Sequence, residues 1–249
     1  MKIECVQVAP LPKVWPTVTV LIVTYNRPLV IRRVIERYEL YLQYAGKLIW
    51  RIADDGSAAG YVAALQKDFA RLSLQATVTQ RGGFGANLNH GLKAAFQESP
   101  YVFLTEDDWA THDYLNLTKA VWLLESVPQL GLVRYDHIGV DERLDAAVLK
   151  HPADGMRDTW VRYFVMHKGS RYIYPGGHPN LVHKRYYDAY GYYKEGGEIA
   201  SVERHFSPLL TKPGPEIAIM SEQIGPPKFT HIGKTWKGTA EGDPNYGIR

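Results

Sequence analysis

The sequence predicts an α/β protein with a mostly parallel central sheet and helices on both faces. Three observations carry this expectation. Extended apolar runs alternate four times with amphipathic runs in the first half of the 249-residue chain, and alternation of strand and helix implies a parallel sheet with crossover helices. Val18–Thr24 (VTVLIVT) is apolar or β-branched at every position, so both of its faces need cover, as they do in a parallel sheet. Three polar clusters each follow a strand-like run: Thr24-Tyr25-Asn26-Arg27, Asp54-Asp55 and Glu106-Asp107-Asp108. Open α/β sheets bind ligands just beyond the carboxyl ends of their strands.

Taken in order, the first strand stops at Asn26-Arg27-Pro28, and Pro28 suits the first turn of a helix. Apolar residues at helical spacing carry that helix over 29–44. A strand over 48–53 (LIWRIA) is ended by Asp54-Asp55-Gly56-Ser57. Residues 61–72 read as helix and 76–80 as a short strand. Arg81-Gly82-Gly83-Phe84-Gly85 is a glycine-rich loop that leads into a helix over 86–97. Residues 101–104 form the strand that delivers the acids, and 114–126 the next helix. The pattern then loosens. Residues 131–135 read as strand, 136–180 as irregular, and 181–190 and 198–210 as helices. From Gly225 onward the chain reads as a loop that ligand would order.

The composition is that of a globular protein, 45% hydrophobic and 22% charged, and fits one large domain. A net charge of +3 is compatible with an anionic ligand and too weak to argue for nucleic acid by itself. The single cysteine, Cys5, can form no internal disulfide, which favours a reducing, cytoplasmic setting. The opening residues carry charges and prolines in place of a signal-peptide core. No apolar run reaches the roughly 18–20 residues of a membrane span, so no integral membrane segment is expected.

The acids of VFLTEDDW raise the sharpest chemical question. Adjacent carboxylates repel, so something positive is expected beside them. Two or three carboxylates at a strand end can hold Mg²⁺ or Mn²⁺ through oxygen, with phosphates completing the shell. The alternative is a helix cap, with Asp107 or Asp108 accepting from the first turn of the helix that follows. Asp54-Asp55-Gly56-Ser57 has the same two sides. Its carboxylates can accept from a ribose hydroxyl or a base N–H, or they can simply build an Asp-Gly turn. The loop at 81–85 is no P-loop, because no Gly-Lys-Ser/Thr follows. TYNRP after the first strand lacks the glycines of a Rossmann dehydrogenase.

Read together, VTVLIVTYNRP, then IADDGS, then GGFGANLNHGLKAA, then YVFLTEDDW resemble the nucleotide-binding half of the family 2 glycosyltransferases, which have the GT-A fold, a Rossmann-like sandwich. The resemblance covers residues 17–125 well and the rest loosely. It implies one domain over 1–249, with a nucleotide-sugar half at 17–125, an acceptor half at 126–224 and a lid-like tail at 225–249. Thr24 and Tyr25 would line the base pocket, with Arg27 in the same donor-binding set. Asp55 would meet the base or ribose beside Asp54. Arg81 would meet a base edge or a phosphate, and Asn89 and Gly91 match the family's Asn-x-Gly helix start. The acid trio stands where the family places its Asp-x-Asp motif, with Glu106 as a departure, Asp107 toward the donor and Asp108 as the preferred ligand of Mn²⁺ or Mg²⁺. His231 is a second metal-ligand candidate, with the ordinary reading of an exposed tail histidine beside it. Lys234 or Lys237 would close over the diphosphate. Glu203, and after it Glu198, would be the base that takes the acceptor's proton; for either, a solvated helix face is the plain alternative. Gly176 and Gly177 would give a backbone path beside the sugar, or else a surface turn.

The activity so implied is inverting, metal-dependent transfer of a sugar from a nucleotide-sugar, UDP-linked by expectation. The acceptor is a hydroxyl of a glycan, a lipid-linked sugar, a protein or a hydroxylated base of modified DNA. A nucleotidyltransferase is the competing reading, against which TYNRP lacks the expected glycines. A non-catalytic protein of the same fold that binds a nucleotide-sugar or glycan is the third.

Overall fold

The computed structural model describes residues 5–6, 12–135, 144–149, 161–166, 178–197, 199–206, 208–209, 212–220 and 228–233. The strands are β1 (Cys5–Val6), β2 (Val18–Thr24), β3 (Leu42–Gln43), β4 (Leu48–Asp54), β5 (Gln75–Val78), β6 (Tyr101–Glu106), β7 (Trp109–Thr111), β8 (Leu115–Asn116), β9 (Leu130–Arg134), β10 (Leu144–Leu149), β11 (Val161–Met166), β12 (Asn180–His183), β13 (Glu216–Met220) and β14 (Phe229–His231). The helices are α1 (Pro28–Tyr41), α2 (Tyr61–Asp68), α3 (Phe84–Glu98), α4 (Leu117–Ser126), α5 (Lys184–Tyr190) and α6 (Ile199–Arg204).

Ten strands form one sheet in the order β1-β10-β11-β13-β9-β12-β6-β2-β4-β5. Its half from β6 to β5 is entirely parallel. β12 runs antiparallel between β6 and β9. β2 is buried along its whole length, as its uniformly apolar sequence requires. Val18, Val20 and Ile22 face one core with Ile31, Ile35 and Tyr38 of α1 and Leu123 of α4. Leu21 and Val23 face a second core with Leu88 and Leu92 of α3 and Tyr186 and Tyr187 of α5. Gly91 lets α3 lie close on the sheet: a Cβ there would sit 2.7 Å from that of Ala53.

Several boundaries depart from the sequence expectation, each for a local reason. α1 stops at Tyr41 because Leu42 and Gln43 pair with β8. The helix expected over 61–72 breaks after Asp68, and a separate 3₁₀ turn covers Ala70–Leu72. The strand expected over 76–80 is Gln75–Val78. The strand expected over 101–104 continues to Glu106, which pairs with Val23. Residues 181–190 are not one helix: Leu181 and Val182 alternate into the two cores as β12, and only Lys184–Tyr190 is helical. His183 caps α5, its Nδ1 accepting from the Arg185 N–H at 3.0 Å. The helix expected over 198–210 is confined to Ile199–Arg204. The tail expected as loop contains β14, which pairs with β7.

The cap reading of the acids also fails. β7 and β8 separate them from α4, and Asn116 caps that helix, its Oδ1 accepting from the Lys119 N–H at 3.0 Å.

Candidate active site

Parallel pairing brings the ends of β2, β4 and β6 to one edge of the sheet. The backbone stitches them there: Asp107 N–H donates to Val23 O at 3.0 Å and Asp55 N–H to Thr24 O at 3.2 Å. All three polar clusters therefore meet.

The positive partner of the acids is Arg27. Its Nη1 donates to Asp107 Oδ1 at 3.1 Å and to Asp108 Oδ2 at 2.7 Å. Asp107 and Asp108 are each 4% exposed. Thr24 Oγ1 donates to Asp107 Oδ2 at 2.7 Å, and the Tyr61 hydroxyl lies 2.6 Å from Thr24 Oγ1. Because Thr24 spends its one proton on Asp107, Tyr61 is the donor in that second bond. Burial pushes Asp107 above the ordinary carboxylate range, with the Asp108 charge adding to the push, while Arg27 and Thr24, each donating to one of its oxygens, favour the ionised form. Burial opposes the charge on Arg27, but the two carboxylates outweigh it and hold the guanidinium protonated above its ordinary range.

Asp108 joins this set to the far end of the chain. His231 Nε2 is 3.4 Å from Asp108 Oδ2, and Ile232 N–H donates to Asp108 O at 2.8 Å. Gly233 closes the turn: a Cβ on it would stand 2.2 Å from Asp108 Oδ2, so no larger residue fits without moving the carboxylate. Trp109 lies between His178 and His231, with ring centroids 4.6 Å and 4.8 Å away. Asp108 Oδ1 is buried and has no hydrogen-bond partner among the described residues. Glu106 ends β6 and is half-buried; strand alternation sets it on the face of Val102 and Leu104, opposite Thr105.

The second acid pair is used differently. Asp54 accepts from the Ser57 N–H at 3.0 Å and from the Ser57 hydroxyl, which builds a turn. Burial raises its pKa, against the Ser57 bonds. Asp55 accepts from the Gly82 N–H at 2.8 Å and the Gly83 N–H at 3.0 Å, so it moors the glycine-rich loop to the sheet edge. Gly56 has φ +77° with Thr79 O and Arg81 N close by, a conformation that favours glycine. Arg81 extends from the moored loop over the Tyr25 ring, 4.5 Å from its centroid.

Asn89 is a clamp. It is 2% exposed, accepts from the Tyr193 N–H at 2.9 Å, and donates to Tyr193 O and Glu195 Oε1, each at 2.9 Å. It thus ties α3 to the segment before α6. α6 also packs on the first turn of α3, where a Cβ on Gly85 would lie 3.2 Å from Val202 Cγ1. Glu203 lies on α6, its side chain outside the described residues. Glu198, Gly176, Gly177, Lys234 and Lys237 lie outside them altogether. The sequence reading did not anticipate Tyr61, Asn26 or Gly233. Asn26, at φ +49°, accepts from the Ala58 N–H at 2.8 Å. A strand-end Asn before Arg-Pro was its only advance signal.

A family model described as Glycosyl transferase family 2 matches residues 19–170, more than half of the chain. The chain belongs to glycosyl transferase family 2. No curated protein matches this family 2 sequence. Among solved structures it resembles the mannosyltransferase PcManGT from Pyrobaculum calidifontis, in complex with GDP-Man and Mn²⁺, at 20% identity and TM-score 0.56, covering 90% of this chain and 58% of that one. It also resembles S. aureus TarS in complex with UDP-GlcNAc, at 18% identity and TM-score 0.57, covering 87% and 60%. GalNAc-T7 with UDP, GalNAc and Mn²⁺ aligns at 13% identity and TM-score 0.58, covering 84% and 43%. The chain spans less than two thirds of the length of each. These likenesses give the family 2 chain its GT-A fold, as its sequence motifs implied. Among the described residues no helix is long and apolar enough to cross a membrane.

The residues at the acid cluster fit a divalent cation. Asp108 Oδ1 is a buried acceptor lacking a donor, and the imidazole of His231 stands beside the same carboxylate. Oxygen with one imidazole suits Mn²⁺. No group of three or more His, Cys, Asp or Glu is gathered for a metal among the described residues.

Proposed function

We propose that this chain is an inverting, divalent-metal-dependent glycosyltransferase that moves a sugar from a UDP-linked donor to a hydroxyl acceptor. The observation that carries the reading is Asp108, a buried carboxylate with one oxygen unsatisfied, beside His231 at the end of a central strand. Membership of family 2 supports the class of reaction.

Asp108 and His231 are the residues that would hold Mn²⁺ or Mg²⁺, and the ion when bound supplies countercharge to the departing diphosphate. Arg27 adds a second positive charge on the same side. Tyr25, with Arg81 over its ring, offers an aromatic face and a cation to the base. Asp55 acts through the glycine-rich loop it holds, fixing where that cation and the loop backbone stand, and Asp54 through the Ser57 turn beside it. The acceptor oxygen attacks the anomeric carbon as the bond to the diphosphate breaks, and a single displacement of this kind inverts the centre. The acceptor's proton goes to a carboxylate, for which Glu203, or Glu198 after it, is assigned. The α6–α3 packing puts Glu203's helix beside the glycine-rich loop, at the donor end of α3. β14 and Gly233 hold the Asp108 carboxylate in place from the side of the late segment. The lone cysteine supports a reducing, cytoplasmic setting.

Thermal-shift titration with UDP-sugars and GDP-sugars, with and without Mn²⁺, tests this. A melting rise that needs Mn²⁺ together with a UDP-sugar, and vanishes in Asp108→Ala, is expected. Stabilisation by nucleotide-sugar that ignores both Mn²⁺ and Asp108→Ala would refute it.

A further inference from the structure

Arg27 stands in an unusual relation to the two acids. One nitrogen, Nη1, reaches Asp107 Oδ1 at 3.1 Å and Asp108 Oδ2 at 2.7 Å. Both carboxylates are almost fully buried, 6% exposed in each side chain, while the Arg27 side chain is 23% exposed, so solvent reaches the pair from the Arg27 side. It holds Asp108 by one oxygen and leaves the other, Oδ1, without a partner among the described residues. The Tyr61–Thr24–Asp107 relay fixes Asp107 from behind, so neither acid can turn away from Arg27 without breaking a buried bond.

We infer that Arg27 is a positioning residue that makes uptake of the divalent cation conditional on a nucleotide diphosphate. This rests on the donor reading above. The two carboxylates carry two negative charges and Arg27 returns one. A divalent ion at Asp108 Oδ1 would share a single carboxylate with a guanidinium, in a setting where charges are poorly screened. Repulsion between two cations so close outweighs the gain from one well-aimed carboxylate oxygen, so the ion alone binds weakly. A diphosphate entering from the exposed side brings the negative charge that both cations need. Arg27 is the more exposed partner and would meet it first, and Asp108 Oδ1 remains for the ion. Ion and diphosphate then bind together or hardly at all, and the coupling is reciprocal by linkage. A chain that ignores the bare ion stays ready for the complexed donor.

The test is Mn²⁺ binding followed by the electron paramagnetic resonance signal of the free ion, in wild type, Arg27→Gln and the double variant Arg27→Gln/Asp107→Asn, each with and without UDP. In wild type, UDP is expected to tighten Mn²⁺ by about a hundredfold. In Arg27→Gln, Mn²⁺ alone should bind about tenfold tighter than in wild type, while the tightening by UDP shrinks by at least the same factor. The double variant removes one charge of each sign and so keeps the net charge of the cluster; Asp108 still loses its bond from Arg27, so a circular-dichroism melt of each variant shows that it is folded before its Mn²⁺ binding is read. It should bind Mn²⁺ alone within about threefold of wild type although an acid has gone. Weaker Mn²⁺ binding in the double variant, or no tightening in a folded Arg27→Gln, overturns the role of Arg27. A wild-type chain that takes up no Mn²⁺ even with UDP overturns the donor reading itself, which separates the two failures.

Discussion

Asp54-Asp55 and Asp107-Asp108 look alike in the sequence: each is a pair of adjacent acids at the end of a buried parallel strand. The fold treats them in opposite ways. Asp55 receives two loop N–H groups and Asp54 receives Ser57 twice, so this pair is consumed in shaping the edge. Asp107 is likewise consumed, by Thr24 and Arg27. Asp108 alone keeps a buried oxygen in reserve. A buried acceptor without a donor can be satisfied by a ligand, and among the described acids at this edge of the sheet Asp108 has such an oxygen while Asp54, Asp55 and Asp107 do not.

The comparison breaks most readily at its two ends. Asp108→Ala should lower Mn²⁺-dependent donor turnover by about a thousandfold or more with little change in urea midpoint; retained turnover would remove the distinction between the pairs. Asp55→Ala should act first on stability, costing about 2–3 kcal/mol through two stranded loop N–H groups, read as a shift of the urea midpoint, with donor binding weakened only as far as the loop moves. An Asp55→Ala chain as stable as wild type would show the loop is moored elsewhere. Gly233→Ala sharpens the contrast without touching a carboxylate. Its new Cβ displaces Asp108 Oδ2, so turnover should fall about ten- to a hundredfold while stability changes by less than about 1 kcal/mol.

The smallest expected effect supplies a baseline for pH work on either pair. Burial, with Arg185 nearby, lowers His183 to about 4, so the unfolded chain binds the extra proton between about pH 4 and its ordinary value near 6.5. Stability from this group is complete above that window and is lost as pH falls through it. His183 is only half-buried, so the loss is discounted to about 1 kcal/mol. Asn can keep the cap, and the difference between wild type and His183→Asn in urea midpoint should open over this window and nowhere else.

Much of the fold was legible because the first half obeys simple rules. β2 is apolar throughout and buried throughout, and Pro28, the loop glycines and Gly91 punctuate it where backbone geometry requires. Legibility fell where elements are short or borrowed. β12 contributes four residues before a helix starts with no breaker between them, and β14 is a three-residue strand that exists only because β7 offers it an edge. The meeting of three polar clusters at one edge of the sheet was readable, and Asp108 and His231, named as candidates apart in sequence, lie side by side there. The division of labour between the acid pairs was not, since it depends on N–H groups of Gly82 and Gly83 arriving from a different loop. Arg27 as the acids' partner was hidden for the same reason: the bond spans about eighty positions of chain.

The pairing of β14 with β7 sets an order of assembly. His112 N–H donates to Lys228 O at 3.0 Å, and β14 follows β13, the last strand of the main sheet in chain order, so on a ribosome every strand of that sheet emerges before the histidine that sits beside Asp108. A nascent chain can hold every strand of that sheet while still lacking the histidine, and a premature stop between β13 and β14 should leave the sheet intact without its candidate metal ligand.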